Sequence, residues 1–351
     1  GELEQQFGFV KNSAADLATV PKGLAGITKA HSAVNATPWA FISLALAMMM
    51  GTASLPHVMM RYFTTPSVKA ARKSVGWSLF FIFLLYSSAP MLATLSKLSL
   101  IDPSLPTGII GKSFAEVQSI DWFQNWNQAN LMFISDFNGN GTLELNEFFM
   151  GGKAVVLATP EIAGLPYVIS GLVAAGGMAA AMSTADGLIL AIANAISHDV
   201  YYKMIDPKAE TAKRLLVARV LLVVIGFAGA TIAAMEIQGI LGSVIWAFDF
   251  AMSGLFFPLV LGVWWKRANR EGAIAGMALG LISGFAYLVW VRNGGSGFLG
   301  ITQLTFGIFG AAVSLVAMVV VSLITAEPNA ATQKMVDEVR VPSGRTILGK
   351  Q

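Results

Sequence analysis

Apolar and polar positions alternate in blocks rather than with a short period. Seven apolar runs predict seven membrane helices: about Pro38–Arg61, Val75–Leu98, Gly171–Lys203, Leu215–Met235, Ile240–Trp265, Gly272–Val291 and Ile301–Thr325. Each reaches at least the ~20 residues a bilayer requires. The blocks between them set the organisation. Residues 1–37 are a mixed lead-in with no spanning run and a short helix expected near Ala14–Ala25. Residues 38–98 hold two spans, and 99–152 are too polar to span and too long for a turn. Residues 153–325 hold the other five spans, and 326–351 form a polar tail expected to be loose.

Charge placement orients these blocks. Arg61, Lys69, Arg72 and Lys73 follow the first run, Lys203, Lys208, Lys213 and Arg214 the third, and Lys266, Arg267 and Arg270 the fifth. The tail adds Lys334, Arg340, Arg345 and Lys350, whereas 99–152 carries Asp102, Glu116, Asp121, Asp136, Glu144 and Glu147. Basic loops stay cytoplasmic, so the lead-in is expected outside and the tail inside a plasma or inner membrane. Composition agrees: of 351 residues 12% are charged and 55% hydrophobic, against about 25% charged in soluble domains. No cysteine exists to form a disulfide, a thiolate site or a nucleophile. No hydrolase triad, phosphate-binding glycine loop or zinc spacing appears, and no basic-aromatic stretch suggests nucleic acid. An enzyme is not expected, and the lipid bilayer is the first partner.

Two runs are interrupted. In the first, Gly51-Thr52-Ala53-Ser54-Leu55-Pro56-His57 should break the helix, because Gly weakens it and Pro56 lacks an amide donor. Pro suits the start of a new helix, which Thr52 or Ser54 can cap. That new N-terminus would offer a carboxylate site near the midplane. The plainer alternative is a proline kink with both hydroxyls bonded to their own backbone. In the third run, Met182-Ser183-Thr184-Ala185-Asp186-Gly187 places two hydroxyls and a carboxylate deep in an apolar stretch. Buried polar groups there are costly unless they bind an ion or one another. Back-bonding of Ser183 and Thr184 to carbonyls one turn earlier is the structural alternative.

Those residues carry a family resemblance. The run AAAMSTADG…AISHDVYYK, with GTASLPHVMMRYFT…KAARKSVGW before it (Gly51 to Trp77), resembles the sodium:solute symporter family. The likeness is to its acetate-permease-like branch and extends from about Pro38 to Ile324. It implies an all-α polytopic protein with the inverted-repeat, five-plus-five helix fold, of which this chain would hold the second half plus extra C-terminal helices. The first half would come from upstream or from another chain. The resemblance implies that Ser183 and Thr184 bind the coupling sodium ion, together with main-chain carbonyls of the first core helix. The implied activity is sodium-coupled symport of a small monocarboxylate, an anionic solute such as acetate.

Further residues are candidates for substrate or coupling. Gly51, Thr52, Ser54 and His57 line the break, Asp186 shares a helix face with Ser183, and Asp249 lies near the middle of the fifth run. Asp186 also allows a proton-coupled carrier. A structural role, protonated or hydrogen-bonded to another helix, remains open for both acids. Glycines 272, 276, 280 and 284 recur every four residues and predict a helix-packing seam.

Residues 136–147 are unexpected in such a chain. They match the calcium-binding EF-hand loop at Asp136, Asn138, Asn140, Gly141, Thr142, Glu144 and Glu147. Calcium would order the outer loop; a polar Asn-Gly turn is the alternative. That leaves a third role, a transport-inactive scaffold or partner subunit with a calcium-stabilised loop.

Overall fold

A computed structural model describes residues 38–151, 154–235 and 240–340. The expected lead-in helix lies outside the described residues. Among the described residues, six helices are long and apolar enough to cross a membrane, or seven if a bent pair counts as one span. The described residues divide into two compact units, one within 75–182 and the other made of 38–74 with 183–340.

Helix α3 (Val68–Ile101) belongs to the first unit from Val75 onward and keeps its Trp77–Leu85 stretch largely exposed, as a lipid-facing helix does. The polar block after it folds into a lobe of its own. It contains α4 (Phe114–Gln118), α5 (Asp121–Gln128), strands β1 (Met132–Ile134) and β2 (Phe148–Met150), and α6 (Val155–Ile162). Ser113 caps α4 by accepting the Glu116 amide. The strands pair antiparallel with Phe133 opposite Phe149, and those rings stack at 4.5 Å. Val117, Phe123, Met132, Leu143, Phe148 and Ile162 form its core. The mostly helical architecture therefore includes a small two-stranded ladder that apolar periodicity could not reveal, because each strand has three residues. Helix α7 (Tyr167–Asn194) begins in this unit.

The second unit is built on close helix approach. The first run is α1 (Pro38–Ser54), then a four-residue helix α2 (Pro56–Met59) and a 3-10 turn at Met60–Thr64. Helix α7 continues as a π-helical segment, Ala195–Ile205, before α8 (Thr211–Ala234). The fifth run is α9 (Ile240–Ala251), a π turn at Met252–Phe256, and α10 (Phe257–Trp264). Pro258 has no N–H for the carbonyl of Gly254, which accounts for the widened turn. Then come α11 (Arg270–Arg292) and α12 (Gly307–Ile324).

The four glycines of α11 are all buried. A Cβ on Gly272 would strike the Ser322 hydroxyl, and one on Gly276 would lie 3.0 Å from Met318 Cβ. On Gly280 it would strike the Ser253 carbonyl, and on Gly284 it would lie 2.9 Å from Ser253 Oγ. So α11 lies backbone-close to α12 and the π turn, as small-residue faces permit. The tail departs from expectation. Helix α13 (Ala330–Arg340) buries Val336, pairs Asp337 with Lys266 at 2.8 Å, and lays Arg340 over the Trp264 ring at 5.7 Å. Lys266 holds the Asp337 carboxyl below its ordinary range. The expectation of a loose tail missed this because the anchoring groups are about seventy residues upstream.

Candidate functional site

The break in the first run sits at Leu55, whose φ of −71° and ψ of 118° are extended. The segments on either side are bent by 49°. The hydroxyls do not cap the second segment. Thr52 Oγ1 donates to Met48 O at 2.7 Å, and Ser54 Oγ to Met50 O and Gly51 O at 2.8 and 3.0 Å. Leu55 occupies the cap position without a side-chain bond. The capping expectation is thereby corrected, since a hydroxyl in an apolar helix finds the carbonyl one turn back first. The N-terminus offered as a carboxylate site belongs to a helix of only four residues, too short for an appreciable dipole. Gly51 has a packing role: a Cβ there would lie 2.6 Å from Phe248 Cβ and 2.7 Å from Phe248 O on α9.

What lies beyond the break is more informative. His57 Nδ1 is buried with no hydrogen-bond partner among the described residues. His57 and Arg61, one turn apart, close on α7 at Gly187. A Cβ there would lie 3.6 Å from the Arg61 guanidinium and 3.8 Å from His57 Cβ. The polar knot of α7 and the second half of the broken run are thus neighbours. Ser183, Thr184 and Asp186 are exposed on α7, with Gly187 on the side turned to His57. Hydropathy groups Arg61 with the loop charges, but its spacing of four from His57 puts it on the same face. Asp249 is elsewhere, fully buried where α9 meets the first turn of α12.

Loop 136–147 is held by its own hydrogen bonds. Asp136 accepts the amides of Gly139 and Gly141 at 2.7 and 3.1 Å, and Asn138 accepts that of Asn140 at 2.9 Å. Asn140 accepts the Thr142 amide and donates to Glu144 Oε1 at 2.9 Å. Glu147 is 0% exposed, and its two oxygens accept the amides of Phe137 and Glu144, both at 3.0 Å. Gly139 and Gly141 have φ of 71° and 72°, which glycine adopts without strain. Strands flank the loop where an EF-hand has helices. No three acidic or histidine side chains converge on a metal position among the described residues. The calcium reading therefore gains no support. Glu147→Ala is expected to orphan two amides at about 1–3 kcal/mol each. The lobe should then become protease-sensitive between Ile134 and Phe148; cleavage no faster than in the wild type would refute this role.

Known proteins supply the remaining comparison. Residues 153–280 match the family model described as the Sodium:solute symporter family. An uncharacterized symporter of Cupriavidus necator is 40% identical over 310 residues, covering 86% of this chain and 44% of the relative. A monocarboxylic acid transporter of Corynebacterium glutamicum is 28% identical over 255 residues, covering 72% and 39%. The chain spans less than half the length of these curated relatives. The similarity is accordingly to the sodium:solute symporters, a family of transporters and not of enzymes.

Proposed function

We propose that this chain supplies the ion-binding part of a sodium-coupled symporter for a small monocarboxylate. Ser183 and Thr184 would hold sodium, together with main-chain carbonyls of the first core helix of the complete transporter. Hydroxyl oxygens suit this ion because they offer dipoles without adding charge. The residues also fit the rule that polar groups at mid-membrane mark ion paths. His57 and Arg61 would receive the substrate carboxylate, and Asp186 would tune the ion site beside them. The observation that carries the reading is the meeting at Gly187, which sets the polar knot of α7 against a histidine with a free ring nitrogen and an arginine. The Corynebacterium glutamicum relative named a monocarboxylic acid transporter supports the substrate class. Coupling requires each ligand to prefer one conformation. The charge pattern supports an extracytoplasmic start and a cytoplasmic tail.

Radiolabelled acetate uptake into proteoliposomes tests this, using the full-length transporter that contains the chain. An inward sodium gradient should drive acetate above its equilibrium level, and choline in place of sodium should abolish that. Equal accumulation in both, varying only with a pH gradient, would favour a proton-coupled carrier instead. No uptake in either would leave the scaffold role.

A further inference from the structure

Near its C-terminal end, helix α9 carries a carboxylate that its surroundings do not answer. Asp249 is 0% exposed, and neither carboxyl oxygen has a hydrogen-bond partner among the described residues. The Gly307 amide in the first turn of α12 lies beside it without meeting hydrogen-bond geometry. A Cβ on Gly307 would lie 2.7 Å from both Asp249 Cα and Asp249 Oδ1, and 2.6 Å from Met252 Cε. There is no space for a group between α12 and the carboxyl. One residue earlier, Phe248 is pressed by Gly51 of α1. One turn later, Ser253 Oγ donates to Asp249 O at 2.7 Å and lies 3.4 Å from Gly307 O, closing the seam.

Among the described residues, the elements packed around Asp249 supply no countercharge. Helices α1, α10 and α12 and the π turn contain no ionisable side chain. Helix α11 has Arg270 and Glu271 at one end and Arg292 at the other, where its guanidinium sits over the Trp246 ring at 5.4 Å. The Tyr287 hydroxyl donates to Ile301 O and accepts the Phe298 amide. An ionised carboxylate sealed in such a place is strongly disfavoured, whereas the neutral acid forgoes far less hydration.

We propose that Asp249 is a proton-binding site that keeps its proton while α9, the π turn and α12 are packed, and releases it to water when that seam opens. The O–H bond breaks heterolytically, the electron pair stays on the carboxylate, and the proton passes to water. The π turn beside it is a local interruption of the helix ladder, a feature frequent at functional sites. The packed form binds one more proton than the open form. Rising pH therefore favours opening, by up to about tenfold per pH unit where the two forms differ in bound protons. This site does not rest on the sodium and monocarboxylate reading, and its test measures no uptake.

These 351 residues contain no cysteine; with any cysteine elsewhere in the transporter replaced by serine, Ala311→Cys gives one reporter thiol, at a buried position packed with Met252 and Ala47. The full transporter in proteoliposomes is labelled with a small water-soluble thiol reagent across a pH series, with and without Asp249→Asn. The ratio of the two rates cancels the thiol's own titration. It should climb with pH by up to about tenfold per unit, and a flat ratio would overturn the proposal. Infrared spectra provide a measurement independent of how the Asn variant folds. Isotope-labelled aspartate in the wild type should show the carbonyl stretch of a protonated carboxyl at neutral pH, shifted by Asp249→Glu. Its absence would overturn the proposal as well.

Discussion

Gly280→Ala is expected to cost about 3 kcal/mol or more, the upper end of what overpacking a filled interior costs. The added methyl would run into the Ser253 carbonyl and come within 2.8 Å of Ser314 Cβ. The first obstacle is backbone, in a π turn itself pressed by Gly284 and Gly310, so no rotamer change relieves it. The helix–helix seam must separate to admit it. Gly229→Ala on α8 is the control, because a Cβ there meets nothing within 4 Å and alanine favours helix by about 1 kcal/mol. Thermal melting in detergent should show the Gly280 variant falling by several degrees and the Gly229 variant holding or rising. Equal melting temperatures would refute the seam as a source of stability.

The four glycines of α11 show what the sequence could disclose. A four-residue recurrence is a helix-face pattern, so the α11 seam was legible before any coordinates. What it packs against was not: Ser253 belongs to a π turn that no periodicity announces, although Pro258 four residues after Gly254 gives a local cause. The break at Leu55-Pro56 was legible for the same reason, a missing amide donor. The fate of Thr52 and Ser54 was not, since capping and back-bonding use the same hydroxyl and only backbone geometry chooses. Arg61 looked like a loop charge because hydropathy weighs residues singly. Its approach to Gly187 depends on a 49° bend that composition does not encode. The loop at 136–147 is the converse case. Every defined ligand position is present, yet Asp136 and Glu147 turn their oxygens to the loop's own amides.

In the complete transporter, Ser183→Ala and Thr184→Ala should each raise the sodium concentration for half-maximal uptake by about tenfold to a hundredfold. The size follows from the ~1.5–3 kcal/mol that a polar group contributes toward a full charge. Both residues are exposed on α7 at one depth of a 39-residue span, so removing either hydroxyl leaves no packing void. Thr184→Ser keeps the oxygen and loses only a methyl, and it should restore sodium dependence toward the wild type. Thr231→Ala on α8 removes a membrane hydroxyl whose bond goes back to Phe227 O at 2.9 Å; it should leave the sodium requirement unchanged. The contrast separates ion binding from helix stability, because back-bonded hydroxyls stiffen or bend a helix without discriminating sodium from choline. If the alanine variants lose maximal uptake at an unaltered sodium midpoint, the hydroxyls shape the helix and the cation is held elsewhere.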